Sequence, residues 1–162
     1  MYLVKELMKK EVVSVEVSTT LGEILKVFDR FKYHTIPVVD KGKLVGIIEW
    51  EDIFQIFKPH PKYIEEFISR LTSVPKEFRE IFTLDLTLEI SPEILNLCIA
   101  ADIMKINPVV VKEDEEVSIA YERMKRQNLK RLPVVDKDGN LVGILSLLDI
   151  IFGILKKKNF FK

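Results

Sequence analysis

Apolar residues along the chain change their spacing in a fixed order, and the order occurs twice. Residues 12–17 and 109–111 are short runs rich in β-branched side chains, which predicts strands. Each run precedes a polar stretch suited to a helix N-cap, Ser18-Thr19-Thr20 in the first copy and Glu113-Asp114-Glu115 in the second. Apolar positions then recur at three- and four-residue spacing: Leu21, Ile24, Leu25 and Phe28, and later Val117, Ala120, Tyr121 and Met124. That spacing predicts a helix with one apolar face in each copy. Strands at 37–40 and 133–136 follow, then hairpin turns at Lys41-Gly42-Lys43 and Asp138-Gly139-Asn140, then partner strands at 44–48 and 141–145. Residues 52–57 and 149–155 begin a closing helix. Each copy therefore reads β-α-β-β-α, a three-stranded sheet under two helices, and the chain as a whole is α/β (α+β).

The two copies match residue by residue. Glu6-Leu7-Met8-Lys9 returns as Asp102-Ile103-Met104-Lys105, Ile36-Pro37-Val38-Val39-Asp40-Lys41 as Leu132-Pro133-Val134-Val135-Asp136-Lys137, and Leu44-Val45-Gly46-Ile47 as Leu141-Val142-Gly143-Ile144. All three blocks keep an offset of about 96 residues, with one extra residue at the second hairpin turn. The expected organisation is a first repeat at 1–57, an inter-repeat insertion at 58–100 and a second repeat at 101–162. Within the insertion, 63–71 and 75–82 have helical patterns and 83–90 alternates like a strand. Ser91-Pro92-Glu93 resembles an N-cap with proline in the first turn. This mainly helical insertion either covers a cleft or partner surface, or extends the core or a dimer contact.

Composition narrows the function classes. The 162 residues carry 25 Lys+Arg against 25 Asp+Glu, so no global field draws the protein to nucleic acid or to an anionic membrane. With two histidines and one cysteine, and no Gly-rich phosphate loop, metal-ligand spacing or nucleophile-base pair, the sequence offers no catalytic constellation. Cys98 lies in the apolar run 94–101 and reads as a small buried hydrophobe of a reducing compartment. No apolar run approaches the roughly 20 residues of a membrane span, and Lys5, Glu6, Lys9 and Lys10 interrupt the N-terminal segment, so a cytoplasmic location is expected. The basic and aromatic end, 156–162, is either a solvated tail or a contact for nucleic acid or membrane.

The ordered blocks resemble a tandem pair of cystathionine-β-synthase (CBS) domains, a Bateman module, over nearly everything except 58–100. The resemblance implies two sheets packed face to face with pseudo-twofold symmetry, two clefts for adenosine-containing ligands, and a homodimer. It also implies composite sites. Site one would combine Ser146 and Asp149 with Val13, His34 and Thr35; site two would combine Asp52 with Val109, Lys130 and Arg131. Two departures stand out: Glu49 where serine or threonine is usual, opposing a phosphate in site two, and Thr35 where arginine is frequent.

Residue chemistry is compatible with these roles and with plainer ones. A carboxylate accepts hydrogen bonds from two vicinal ribose hydroxyls, as Asp149 and Asp52 would, yet each also sits where a helix N-cap is expected. Ser146 either donates to a phosphate or ribose oxygen or caps the helix. Lys130, Arg131 and His34 either meet phosphate or end a helix in solvent. Trp50 either stacks on a base or packs at an interface. The expectation is a non-enzymatic regulatory module with no required cofactor. It would sense an adenine nucleotide or adenosyl compound, AMP first and ATP, ADP, S-adenosylmethionine or methylthioadenosine as alternatives, and signal to an unidentified protein. A ligand-free dimerisation or interaction module is the competing reading. Ile150, Ile151, Ile154 and Leu155 are the residues expected at the dimer contact or in the monomer core.

Overall fold

The computed structural model describes residues 1–57 and 92–160; the expectations for 63–71, 75–82, 83–90 and Ser91 lie outside them. The first half contains α1 (Val4–Leu7), β1 (Val15–Glu16), α2 (Leu21–Phe31), β2 (Thr35–Asp40), β3 (Lys43–Glu49) and α3 (Trp50–Phe57). The second contains α4 (Pro92–Leu97), α5 (Ala100–Ile103), β4 (Lys105–Ile106), β5 (Val111–Lys112), α6 (Val117–Arg126), β6 (Arg131–Val135), β7 (Leu141–Ser146) and α7 (Leu147–Lys157).

Local sequence explains most boundaries. Thr20 caps α2: its Oγ1 accepts from Glu23 N at 3.3 Å, and the Glu23 carboxylate accepts from Thr20 N at 3.1 Å. The second repeat departs from expectation here. Its N-cap is Glu116, beyond 113–115, and Glu116 makes no side-chain capping bond. Glu115 is instead turned onto Arg123, which donates to both its carboxylate oxygens at 2.8 and 2.6 Å. Leu21, Ile24, Val117, Ala120 and Met124 form the buried helix faces as expected, while Tyr121 at the rim of its face is 49% exposed. The hairpin after β6 is longer because Asp136 Oδ1 accepts from both Asp138 N and Asn140 N, at 2.8 and 2.9 Å.

The first strand of each repeat is shorter than its β-branched run. β1 pairs with β2 in parallel only at Val15 and Glu16, and β5 pairs with β6 only at Val111 and Lys112. Val12, Val13 and Val109 leave the sheets to line the cavities described below. This also explains how β2 and β6 begin before Pro37 and Pro133. The parallel neighbour joins only at Val38 and Val134, so the missing proline N–H falls outside that pairing.

Two sheets result, β1-β2-β3-β4 and β5-β6-β7. One core gathers Val15, Leu21, Ile24, Ile36, Val38, Ile48 and Ile53; the other gathers Val111, Val117, Ala120, Met124, Leu132, Val134, Leu145 and Ile150. Burying each large aliphatic side chain stabilises by about 1.5–3 kcal/mol. The lead segments are exchanged between these cores. Val4 of the N-terminal lead is fully buried in the second core, and Ala100 of the second lead is fully buried in the first. Lys9 exchanges both backbone hydrogen bonds with Ile144, each 2.9 Å, while β4 pairs with β3 at Gly46 and Ile47. Each lead also satisfies an orphan N–H at the start of the other half's helix: Val117 N donates to Tyr2 O at 2.9 Å and Leu21 N to Cys98 O at 2.8 Å. At the far end the two hairpins bond to each other through Leu44 N to Gly139 O and Leu141 N to Gly42 O, both 3.1 Å. These reciprocal contacts make the two repeats a pseudo-twofold pair.

Candidate ligand clefts between the repeats

Two adjoining cavities open where the sheets meet. The smaller, about 160 Å³, is lined by Val13, Thr35, Ser146 and Asp149, four of the five residues expected in site one. His34 is placed elsewhere: it lines the larger cavity of about 440 Å³, with Val109, Lys130 and Arg131 from the expected site two. Asp52 does not line the larger cavity, whereas Arg131, Thr35 and Ile144 line both.

Helix α7 positions Asp149. Ser146, not Asp149, is the N-cap, and the two form a reciprocal box. Ser146 Oγ accepts from Asp149 N at 3.1 Å, and Asp149 Oδ2 accepts from Ser146 N at 2.9 Å and Ser146 Oγ at 2.6 Å. One carboxylate oxygen is thus committed to the helix end. The other, Oδ1, lies 3.6 Å from the ammonium of Lys9, whose side chain is largely exposed.

The first repeat builds a related but tighter arrangement. Asp52 Oδ2 accepts from Glu49 N at 2.9 Å, and Asp52 Oδ1 lies 3.3 Å from Lys105 Nζ. Lys105 also donates to the Glu49 carboxylate, for which the second repeat has only Ser146. The Glu49 hydrogen bond, followed by the smaller contribution of Asp52, holds the Lys105 ammonium above the usual lysine range against the opposing effect of burial. In the larger cavity Glu49 and Glu51 face His34, Lys130 and Arg131, so the lining is of mixed charge.

Lys9, Lys105, Tyr33 and Glu51 were not singled out by sequence reasoning. Lys9 and Lys105 were visible as equivalent residues of the repeat, but nothing local places either beside an aspartate of the other half. Tyr33 lines the smaller cavity and stacks on Phe31, with ring centroids 5.5 Å apart. Trp50 meets His34 edge-on at 6.3 Å. Cys98 is partly buried against the first core, and burial, then the Asp102 carboxylate, pushes its thiol above the usual range. Along α7, Ile150 and Ile154 pack on the second core, leaving Leu148, Ile151 and Phe152 as the exposed apolar residues. No helix among the described residues is long and apolar enough to cross a membrane.

The CBS domain family matches residues 4–58 and 100–156. An uncharacterized protein of Methanocaldococcus jannaschii is 32% identical over 151 residues, covering 92% of this chain and 89% of its own length. Among solved structures, the Arabidopsis thaliana CBS-pair protein CBSX2 in complex with AMP superposes with a TM-score of 0.68 at 23% identity, covering 98% of this chain and all of that one. The CBS domain pair of protein MJ0100, in complex with 5′-methylthioadenosine and S-adenosyl-L-methionine, superposes with a TM-score of 0.64 at 23% identity, covering 97% and 98%.

Proposed function

The chain belongs to the CBS domain family, and we propose that it is a regulatory module that senses an adenosine-containing compound, AMP foremost, in the cleft at Asp149. The observation that carries this reading is the division of labour on that carboxylate. Asp149 lines the cavity with its Oδ2 held by Ser146, while its Oδ1 lies 3.6 Å from a largely exposed lysine, Lys9. An oxygen fixed at a helix start is a ready acceptor for vicinal ribose hydroxyls. Val12, Val13 and Tyr33 offer apolar and aromatic surface to a base.

At about 160 Å³ this cavity falls below the roughly 300–1,000 Å³ usual for small-molecule sites. A ligand anchored at Asp149 therefore extends past Arg131 into the larger cavity, where a phosphate meets that guanidinium and those of its neighbours Lys130 and His34 that carry charge. The AMP bound by CBSX2 and the adenosyl compounds bound by MJ0100 support the same ligand class. Because the cleft draws on both halves of the chain, ligand biases how the repeats pack, and a partner protein reads that change. The exposed Leu148, Ile151 and Phe152 on α7 favour self-association of the module as the surface on which this is read.

A thermal-shift series with AMP, ADP, ATP, adenosine, S-adenosylmethionine and methylthioadenosine on wild type and Asp149→Ala tests the reading. Ligand at a hundredfold excess over Kd adds about 2.7 kcal/mol, a rise of roughly 5–10 °C for a domain of this size. The expected result is such a rise for one adenosine compound that Asp149→Ala abolishes. A flat midpoint with all six compounds would instead favour a ligand-free interaction module.

A further inference from the structure

The two repeats place a lysine on equivalent aspartates, but they do not treat that lysine equally. Lys9 approaches Asp149 Oδ1 at 3.6 Å and meets no second carboxylate among the described residues. Lys105 lies 3.3 Å from Asp52 Oδ1 and is also bonded to Glu49. In both repeats the other aspartate oxygen is taken by the helix start, through Ser146 or through Glu49 N. Oδ1 is therefore the oxygen left for a ribose, and it is the oxygen each lysine covers.

We propose that the Lys105–Glu49 pair locks the Asp52 cleft against ribose, so that each chain takes one adenosine-type ligand, at Asp149. A vicinal diol has to displace Lys9 from one carboxylate only, at 3.6 Å and with the lysine itself 73% exposed, a single contact of the kind that contributes little. Lys105 is shared by two carboxylates, so the same displacement has to break two charged contacts. Asp149 and Lys9 both line the smaller cavity, so displacing that lysine opens Asp149 to it. Glu49 thus acts on the Asp52 cleft as a specificity determinant through Lys105. The inference rests on the reading of Asp149 as the ribose acceptor.

Calorimetric titration of wild type, Glu49→Ser and Ser146→Glu with adenosine and with AMP tests it, with thermal midpoints confirming that each variant is folded. The expected stoichiometry is one adenosine or AMP per wild-type chain and two per Glu49→Ser chain, because the variant gives Lys105 the single partner that Lys9 has. Ser146→Glu, which builds the mirrored lock around Lys9, loses the remaining site. Adenosine carries no phosphate, so it separates a lock on the diol from simple repulsion of phosphate by Glu49. Two adenosines on wild type, or a folded Glu49→Ser that stays at one, overturns the lock while leaving the Asp149 reading intact. Absence of heat from all three proteins overturns both.

Discussion

Replacing Gly143 by alanine tests whether the exchanged leads hold the two repeats together. A Cβ at residue 143 would lie 2.6 Å from Met8 Sδ and 2.8 Å from the Lys9 carbonyl oxygen, well inside van der Waals contact. The thioether can swing away, but the carbonyl is backbone and is bonded to Ile144 N. Overpacking of this kind costs about 1–3 kcal/mol. Withdrawal of the lead would also weaken the paired Lys9–Ile144 hydrogen bonds, at about 1 kcal/mol each. Gly143→Ala should therefore destabilise by about 2–4 kcal/mol, a drop of roughly 5–15 °C in a calorimetric melt. Gly139→Ala is the control. Nothing lies within 4 Å of its added Cβ, and only the positive φ of +86° is strained, so about 1–2 kcal/mol is expected. In the double variant Met8→Ala/Gly143→Ala the crowding sulfur is gone and the carbonyl contact remains, so the costs should fall short of additive by about 1 kcal/mol. Additive costs, together with a Gly143→Ala shift no larger than that of Gly139→Ala, would refute the reasoning.

Two further perturbations probe the same framework. Val4→Ala removes a fully buried side chain from the second core although it lies in the first lead, and should cost about 2 kcal/mol in urea unfolding while preserving a single cooperative transition; a variant as stable as wild type would mean the lead is not part of that core. For acid stability, burial raises the Glu115 pKa, but hydrogen bonds from the Arg123 guanidinium and Lys112 N–H together outweigh it and leave the group below the usual glutamate range. A lowered folded pKa contributes stability that is present above about pH 4.5 and lost as pH falls through the folded value. Wild type should lose about 1 kcal/mol more than Glu115→Gln between roughly pH 5 and pH 3, a figure kept small because Arg123 is 37% exposed. Parallel pH profiles for the two proteins would count against the pair.

The repeat was legible as blocks matching at an offset of about 96 residues, and the element order and apolar helix faces because they depend on close neighbours in the chain. The N-cap stretch Ser18-Thr19-Thr20, the spacing of Leu21 and Ile24, and the hairpin at Lys41-Gly42 are local statements, and the fold carries each of them. The Ser146–Asp149 box is just as local, yet capping was read for each residue separately and not as one reciprocal arrangement. Periodicity likewise told that α7 has apolar residues to bury, but not which way its stripe turns: Ile150 and Ile154 went inward and Ile151 stayed outside.

The sequence by itself therefore determined two β-α-β-β-α repeats, their faces, and the aspartates that stand at the start of each closing helix. Tertiary structure alone decided which half each lead completes, which cavity His34 enters, and that Lys9 and Lys105 cover Asp149 and Asp52. The physical reason is distance along the chain. Lys9 and Asp149 lie at opposite ends of it, and Lys105 reaches Glu49 across 56 residues, so no local spacing encodes either contact. They arise because each lead finds its orphan N–H groups, its open strand edge and its apolar seat on the other repeat.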